Sequence, residues 1–408
     1  MTEQRMAFTD TSVGAVCDRF GGEVQTGPFG SQLHASDYSE NGVPVVMPQD
    51  MLEGRVTTER IARVDAQHVN RLRQHALRPG DIAFSRRGDV GRFAVITEKE
   101  DGWLCGTGSI RIRLNCPEVD TSYLRWYLAQ PTVRNWLEHN ATGVTMPNLN
   151  TTVVRQLPLA YPSLPEQRRI AAILDQADAL RAKRREALAQ LDRLAQSVFV
   201  EMFGDPVTNP RGWETRRLGE LTSKLGSGST PTGGDTAYKD VGISLIRSLN
   251  VHDGLFLRKN LAHIDEQQAA KLRNVVVEEN DILLNITGAS VARVCRAPAD
   301  VLPARVNQHV MIVRPTSELN PLFLESLLLN PSMKAKLLKV GGAGATREAI
   351  TKADAEELEV IVPPKSLQQE FSTRKESLHS LQRNGESGLA DLNALFASLQ
   401  HRAFRGEL

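Results

Sequence analysis

The sequence has few cysteines, and none sits in a pattern that carries chemistry. Cys17, Cys105, Cys116 and Cys295 form no CxxC pair and have no histidine at zinc-ligand spacing, so a zinc ribbon and a disulfide framework are both excluded and reduced thiols are expected. Long apolar runs are absent as well. No stretch of about 18 apolar residues occurs, and the opening MTEQRMAFTD has no apolar h-region, which disfavours a membrane span or a secretory signal and points to the cytoplasm. Charge of one sign is lacking: 49 Lys/Arg stand against 48 Asp/Glu, a net charge of +1, and residues 1–160 carry 17 against 18. Such a balance neither steers the whole molecule toward nucleic acid nor excludes it, because a local basic face can coexist with an acidic back.

Catalytic signatures are missing too. There is no GK[ST], HExxH or GxSxG, and no Glu has Lys two positions later, which removes the usual carboxylate–lysine metal site. Methyl transfer to a flipped adenine would want an Asn- or Asp-Pro-Pro-aromatic pocket and a glycine-rich cofactor loop. The nearest strings, Asn209-Pro210-Arg211-Gly212 and Gly226-Ser227-Gly228, fulfil neither. The nine histidines are scattered and read as surface or packed residues rather than ligands. The expectation is a non-catalytic chain with no metal and no cofactor of its own.

What is present is a duplication. "DIAFSRRG" (Asp81 to Gly88) recurs as "DILLNITG" (Asp281 to Gly288), with Asp-Ile and Gly at a fixed offset. Tyr38, Gly42, Val43, Val45 and Val46 recur as Tyr238, Gly242, Ile243, Leu245 and Ile246, and Leu124, Leu128, Pro131 and Leu137 as Leu324, Leu328, Pro331 and Leu337; Pro162 then meets Pro363 one residue on. A period this long is no solenoid, so the 408 residues, 41% of them hydrophobic, read as two tandem copies of one domain. Within each copy, apolar runs such as Val43 to Met47, Asp81 to Phe84, Ser109 to Leu114, Val275 to Val277 and His309 to Val313 predict strands. Tyr123 to Leu128 and Phe323 to Leu329 predict helices, each followed by a second one beginning at Pro131 or Pro331. The fold class is α+β.

Each copy ends in a different kind of sequence. Pro165 to Phe203 is dense in helix formers, with heptad positions on Ile170, Ile173, Ala177, Leu180, Arg184, Ala187, Leu191, Leu194 and Val198. A shift of 201 gives Phe371, Arg374, Leu378, Leu381, Gly385, Gly388, Leu392, Leu395 and Leu399, a weaker seam that the two glycines could bend. The domains expected are 1–162 and 205–362, with helices in 163–204 and 363–408. The two helices are expected to pair as an antiparallel coiled coil, making the chain pseudo-twofold symmetric; the plainer alternative is that each caps its own domain. Roughly 33 helical residues at about 1.5 Å each make a rod near 50 Å, long enough to set the ~34–36 Å between DNA half-sites one turn apart.

The loops differ where the scaffold repeats. "SRRG" offers two guanidiniums suited to guanine or phosphate, and its counterpart "NITG" an amide and a hydroxyl. The same contrast separates GPFGSQ (27–32) from GSGSTPT (226–232), and ATGVTMPN (141–148) from GGAGATRE (341–348). Any one of these could be an ordinary solvated turn. Together they predict DNA contacts from Phe29, Ser31, Gln32, Ser85, Arg86, Arg87, Thr142, Thr145 and Asn148 in the first copy. In the second copy the candidates from these loops are Ser229, Thr230, Thr232, Asn285, Thr287, Thr346 and Arg347, and Arg247, Asn307 and Gln308 are added from outside them.

With these residues in place, the chain resembles the DNA-specificity subunit of Type I restriction-modification systems over essentially its whole length. The resemblance rests on Gly27-Pro28-Phe29-Gly30-Ser31 and Gly228-Ser229-Thr230-Pro231, on the Asp-Ile strands ending at Gly88 and Gly288, and on Leu164-Pro165-Glu166-Gln167-Arg168. It continues through Met202-Phe203-Gly204-Asp205-Pro206 with Gly212-Trp213, and Phe404-Arg405-Gly406-Glu407-Leu408. It implies two target recognition domains that each read half of a split asymmetric site on double-stranded DNA, with the two helices as spacer. It also implies two modification subunits carrying S-adenosylmethionine, which methylate adenine, and restriction subunits with an ATP-driven motor; S-adenosylmethionine, ATP and Mg would all belong to partners. The competing reading is an assembly scaffold without DNA recognition, using the coiled coil alone.

Overall fold

A computed structural model describes residues 7–28, 32–143, 147–231, 233, 237–342 and 349–408. The chain forms two compact units, residues 1–184 with 388–408 and residues 185–387.

Each unit is built on a four-stranded antiparallel sheet whose central strand is the duplicated Asp-Ile segment. In the first unit the order is Glu23–Thr26, Ser109–Arg113, Ile82–Ser85, Phe93–Val95. In the second it is Thr222–Ser227, Val310–Pro315, Ile282–Asn285, Val294–Arg296. The central strands are buried on both faces, which is why they read as continuous apolar runs rather than as alternation. Ile82 and Phe84 face a core with Tyr123, Leu124 and Leu137, while Ala83 faces a second cluster with Val46, Leu77 and Cys105. Ile282 and Leu284 face Phe323, Leu327 and Leu337, and Leu283 faces Leu245, Val275 and Val306.

A second sheet, three-stranded in the first unit and four-stranded in the second, covers the other face. It pairs Val43–Val46 antiparallel with Ala62–Val64 and parallel with Leu104–Cys105; in the other unit Ile243–Ile246 lies between Ala262–Ile264 and Ala304–Val306 in the same senses. The helix pairs expected after these strands are Thr121–Leu128 with Pro131–Asn140, and Pro321–Leu329 with Pro331–Gly342. Asp120 and Asn320 cap the first of each pair by accepting two backbone N–H groups. Sequence and structure agree on these strands and helices to within a few residues.

The long helices are Leu164–Phe203 and Lys365–Ala403, and each contributes to both units. Gln167, wholly buried, locks the first to its own domain: its amide nitrogen donates to the carbonyls of Glu118 and Pro162, and its oxygen accepts from the Asp120 N–H. Gln368 repeats this with Glu318, Pro363 and Asn320. Within the first unit, Arg184 lies beside Gly388, and Arg181 donates to Asn393 at 2.9 Å and lies over the Phe396 ring. Within the second, Leu188 meets Gly385, Gln382 donates to Asp192, and Phe199 packs edge-on to Phe371. One residue number falls as the other rises, so the helices pair antiparallel in each unit.

The seam differs from the expected heptads by one residue. Leu180, Leu194, Leu381 and Leu395 are 47–55% exposed, whereas Leu174 is wholly buried and Phe396, Lys375 and Gly385 lie inside. Ile170, Ala177 and Phe371 are buried as expected, and Ile173, Leu191, Val198, Leu392 and Leu399 are half-buried. The two possible seams share every seventh residue, and the inward one carries Arg181, Lys375 and Gln382, whose apolar stems pack while their heads find partners. Gly385 is no weak point either. A Cβ there would stand 2.7 Å from Leu188 Cδ2, so its bareness is what lets the helices approach.

Candidate nucleic-acid interface

The repeated Asp is the foundation of each site. Asp81 is 1% exposed, accepts the Arg78 N–H at 2.9 Å and binds the Arg113 guanidinium through both oxygens at 2.7 and 2.5 Å. Asp281 does the same with the Glu278 N–H and with Arg314, at 2.7, 2.7 and 2.8 Å. This bidentate pair is a strong charge-assisted contact. It ties the central strand to its neighbour and holds both arginines above their ordinary pKa. At the other end of the strand, Gly88 and Gly288 turn at φ +74 and +73, in the left-handed region that favours glycine. Aspartate and glycine therefore recur because they anchor the start of the strand and turn its exit; the residues between them are free to vary.

In the first unit four loops meet at that exit. Arg86 N–H donates to Gly108 O, Leu149 N–H to Arg86 O and Gly88 N–H to Pro147 O. Arg87 bridges Asn148, which exchanges backbone hydrogen bonds with Thr142 at 2.8 and 2.9 Å. Gly27 lies so close to the 106–108 loop that a Cβ would stand 2.1 Å from Gly106 O. The second unit repeats the arrangement with Ile286 N–H on His309 O, Ile350 N–H on Ile286 O, a Thr287–Ala349 bridge, and Gly228 N–H on Asn307 O.

The structure divides the predicted contact residues into three groups. Arg86, Arg87, Thr142 and Asn148 come together, with Arg87 and Thr142 exposed and Arg86 and Asn148 half-buried; Gln32 is half-buried and its carbonyl accepts from Arg71. In the second unit Ser229 and Gln308 are exposed, Thr230 and Thr287 are half-buried, and Thr230 donates to Gln308. Three residues are corrected from contact to framework. Ser85 and Asn285 have no exposed surface, Ser85 donating to Arg87 O and Asn285 to Ser248 O; Asn307, 4% exposed, accepts the His309 N–H. Ser85 and Asn307 serve their own turns, as polar side chains there often do, whereas Asn285 ties its turn to the Ser248 loop. Arg247 also works locally, donating to Asn260 O at 2.7 Å and lying over the Tyr238 ring. Phe29, Ser31, Thr145, Thr232, Thr346 and Arg347 lie outside the described residues.

Sequence reasoning missed His309, which it assigned to a strand. Its Nδ1 lies 2.6 Å from Thr287 Oγ1 and its Nε2 accepts from the Gln308 amide at 3.1 Å. It also missed Ser248, Ser290 and Arg293, which line a shallow cup of mixed polarity with Leu249, Thr287 and His309. Nothing in the sequence links these residues: Gly228, whose Cβ would stand 1.9 Å from Val306 O, marks two touching loops only once the chain is folded.

Comparison with known proteins places this arrangement. The family model described as Type I restriction modification DNA specificity domain matches twice, at residues 31–191 and 210–380. The Type I restriction enzyme MjaIX specificity subunit of Methanocaldococcus jannaschii is 21% identical over 406 residues, covering 95% of this chain and 91% of its own. The EcoBI specificity subunit of Escherichia coli is 25% identical over 402 residues, 90% of this chain and 81% of its own. A chain from a study of complex assembly and conformational transition in the type I R-M system superposes with a TM-score of 0.60 at 19% identity, covering 99% of this chain and 100% of that one. The S subunit of the type I restriction-modification system of M. genitalium superposes with a TM-score of 0.58 at 14% identity, covering 99% and 97%. These last two are likenesses of fold.

Proposed function

The chain belongs to the Type I restriction modification DNA specificity family, and from that premise we propose how its two units divide the work. The protein is the sequence-specific DNA-binding subunit of a Type I restriction-modification complex and recognises a bipartite, asymmetric site. Residues 1–162 read one half-site and residues 205–362 the other, and the helices in 163–204 and 363–408 serve as spacer and as docking surface for modification subunits, which restriction subunits join. The observation that carries this reading is the doubled frame: one Asp–Arg anchor and one glycine turn, built twice, each presenting a different set of side chains. A scaffold that used only its helices would have no need of two unlike loop clusters.

Chemistry belongs to the partners in this reading. S-adenosylmethionine is bound by the modification subunits, ATP and Mg²⁺ by the restriction subunits, and this chain supplies recognition in the cytoplasm.

The test is a gel shift of the complex of this chain with its modification subunits on duplexes carrying the adenine-methylated motif mapped in the host genome. Binding is expected to depend on both half-sites and to fall steeply with salt, as phosphate contacts release counterions. A complex that binds scrambled and mapped duplexes alike sinks the proposal. Arg86→Ala and Arg87→Ala are expected to weaken discrimination at one half-site only, by about 1–3 kcal/mol for a base contact. Equal loss on random DNA assigns them to phosphate.

A further inference from the structure

We propose that Thr230, Gln308, His309 and Thr287 form a directional hydrogen-bond relay that frees the Thr287 hydroxyl hydrogen to donate to an acceptor atom on a DNA base edge, with His309 as its positioning residue. The inference rests on the DNA-reading role assigned to the second unit.

The reasoning begins with the difference between the two turns. The first unit places Arg87 at the turn, and a guanidinium can only donate. The second places Thr287 there, in the same backbone bridge to the neighbouring loop. A hydroxyl both donates and accepts, so an unconstrained threonine discriminates poorly between base edges that differ in donor and acceptor pattern. Something has to fix its sense.

The neighbouring loop supplies that constraint. The backbone position that takes the N–H of the residue before the turn is Gly108 in the first unit and His309 in the second. Where the turn side chain needs no guidance the position is bare; where the turn carries a hydroxyl it bears an imidazole. The direction of the relay follows from its ends. Thr230 donates to the Gln308 carbonyl oxygen, which leaves the Gln308 amide nitrogen to donate to His309 Nε2 at 3.1 Å. A neutral imidazole that accepts at one nitrogen carries its proton on the other. His309 Nδ1–H therefore donates to Thr287 Oγ1 at 2.6 Å, and the Thr287 hydrogen turns outward, into the shallow cup shared with Ser248, Ser290 and Arg293. Purine N7, guanine O6 and thymine O4 are the major-groove atoms that accept such a donor.

The experiment selects bound sequences from a duplex library randomised across both half-sites, using the full complex of this chain with its modification subunits. Thr287→Val and His309→Ala are each expected to reduce preference at the same base pair of the second half-site, by about tenfold. The double variant should be no worse than either single one, because the residues act as one unit. His309→Asn, whose side-chain amide donates where Nδ1–H did, should retain most of the preference, and the first half-site should keep its wild-type profile as an internal control for folding. The relay is overturned if His309→Ala leaves the profile intact, if its effect adds to that of Thr287→Val, or if it weakens all sequences alike. A wild-type complex with no preference at either half-site overturns the proposed function itself, and the relay with it.

Discussion

Asp81 spends its whole side chain on Arg113 and the Arg78 amide, with almost no contact with water. Removing one partner of a buried pair strands the other, so Asp81→Ala is expected to lower the unfolding midpoint of the first unit in urea by the equivalent of about 3–5 kcal/mol; Asp281→Ala should do the same to the second. Cysteine chemistry gives a separate check. Burial pushes the thiols of Cys105 and Cys295 up to about 12 and raises Cys17 and Cys116 as well, but only Cys116 is partly exposed. Because the thiolate is the nucleophile, raised values mean slow reaction at pH 8. Mass spectrometry after brief iodoacetamide treatment of native protein should find Cys116 modified first and Cys105 and Cys295 intact. At this scale the sequence showed that an aspartate and a glycine recur, but not why. It also could not separate Arg87, which faces outward, from Ser85 two residues earlier, whose hydroxyl is consumed by the Arg87 carbonyl.

The long helices were legible as helices and as an antiparallel pair, but not in their facing. Counting apolar letters favours Leu180, Leu194, Leu381 and Leu395, because the alternative set contains Arg181, Lys375 and Gln382. Packing decides otherwise: Lys375 donates to Ser326 at 2.7 Å, and Phe396 wedges against Trp126 with ring centroids 5.2 Å apart. Phe396→Ala should therefore destabilise the first unit by about 3–5 kcal/mol, as core aromatic truncations do, while Leu395→Ala next to it should stay within about 0.5 kcal/mol. Thermal melts of the two variants compare them directly. The glycines give a second contrast. At Gly388 the nearest atom to a new Cβ is an Arg184 guanidinium nitrogen at 3.4 Å, so Gly388→Ala should gain about 0.5–1 kcal/mol of helix propensity. At Gly385 the same methyl meets Leu188, and the gain should shrink or reverse.

Across the whole molecule the repeat was the most legible feature, because an offset of two hundred residues held through strands, helices and prolines alike. The proposed recognition surface was legible only as a set of loops. Arg86, Arg87, Thr142 and Asn148 meet, yet His309 was invisible as a partner of Thr287 because nothing local in the sequence says which loops touch. A net charge of +1 places attraction for DNA in local patches rather than in the overall field. Raising salt from 50 to 200 mM should accordingly reduce affinity of the complex for scrambled duplex as steeply as for its mapped site, leaving their ratio nearly unchanged in parallel titrations. The division of the long helices between units has a bearing on synthesis. Tyr123, Trp126 and Tyr127 are covered by Phe396 and Phe404, which leave the ribosome roughly 270 codons later, a wait of about 15–55 s at ordinary elongation rates. Until then the nascent first unit carries an uncovered aromatic patch, so ribosomes halted in that interval should hold a chain that recruits holdase chaperones and is cut readily by added protease.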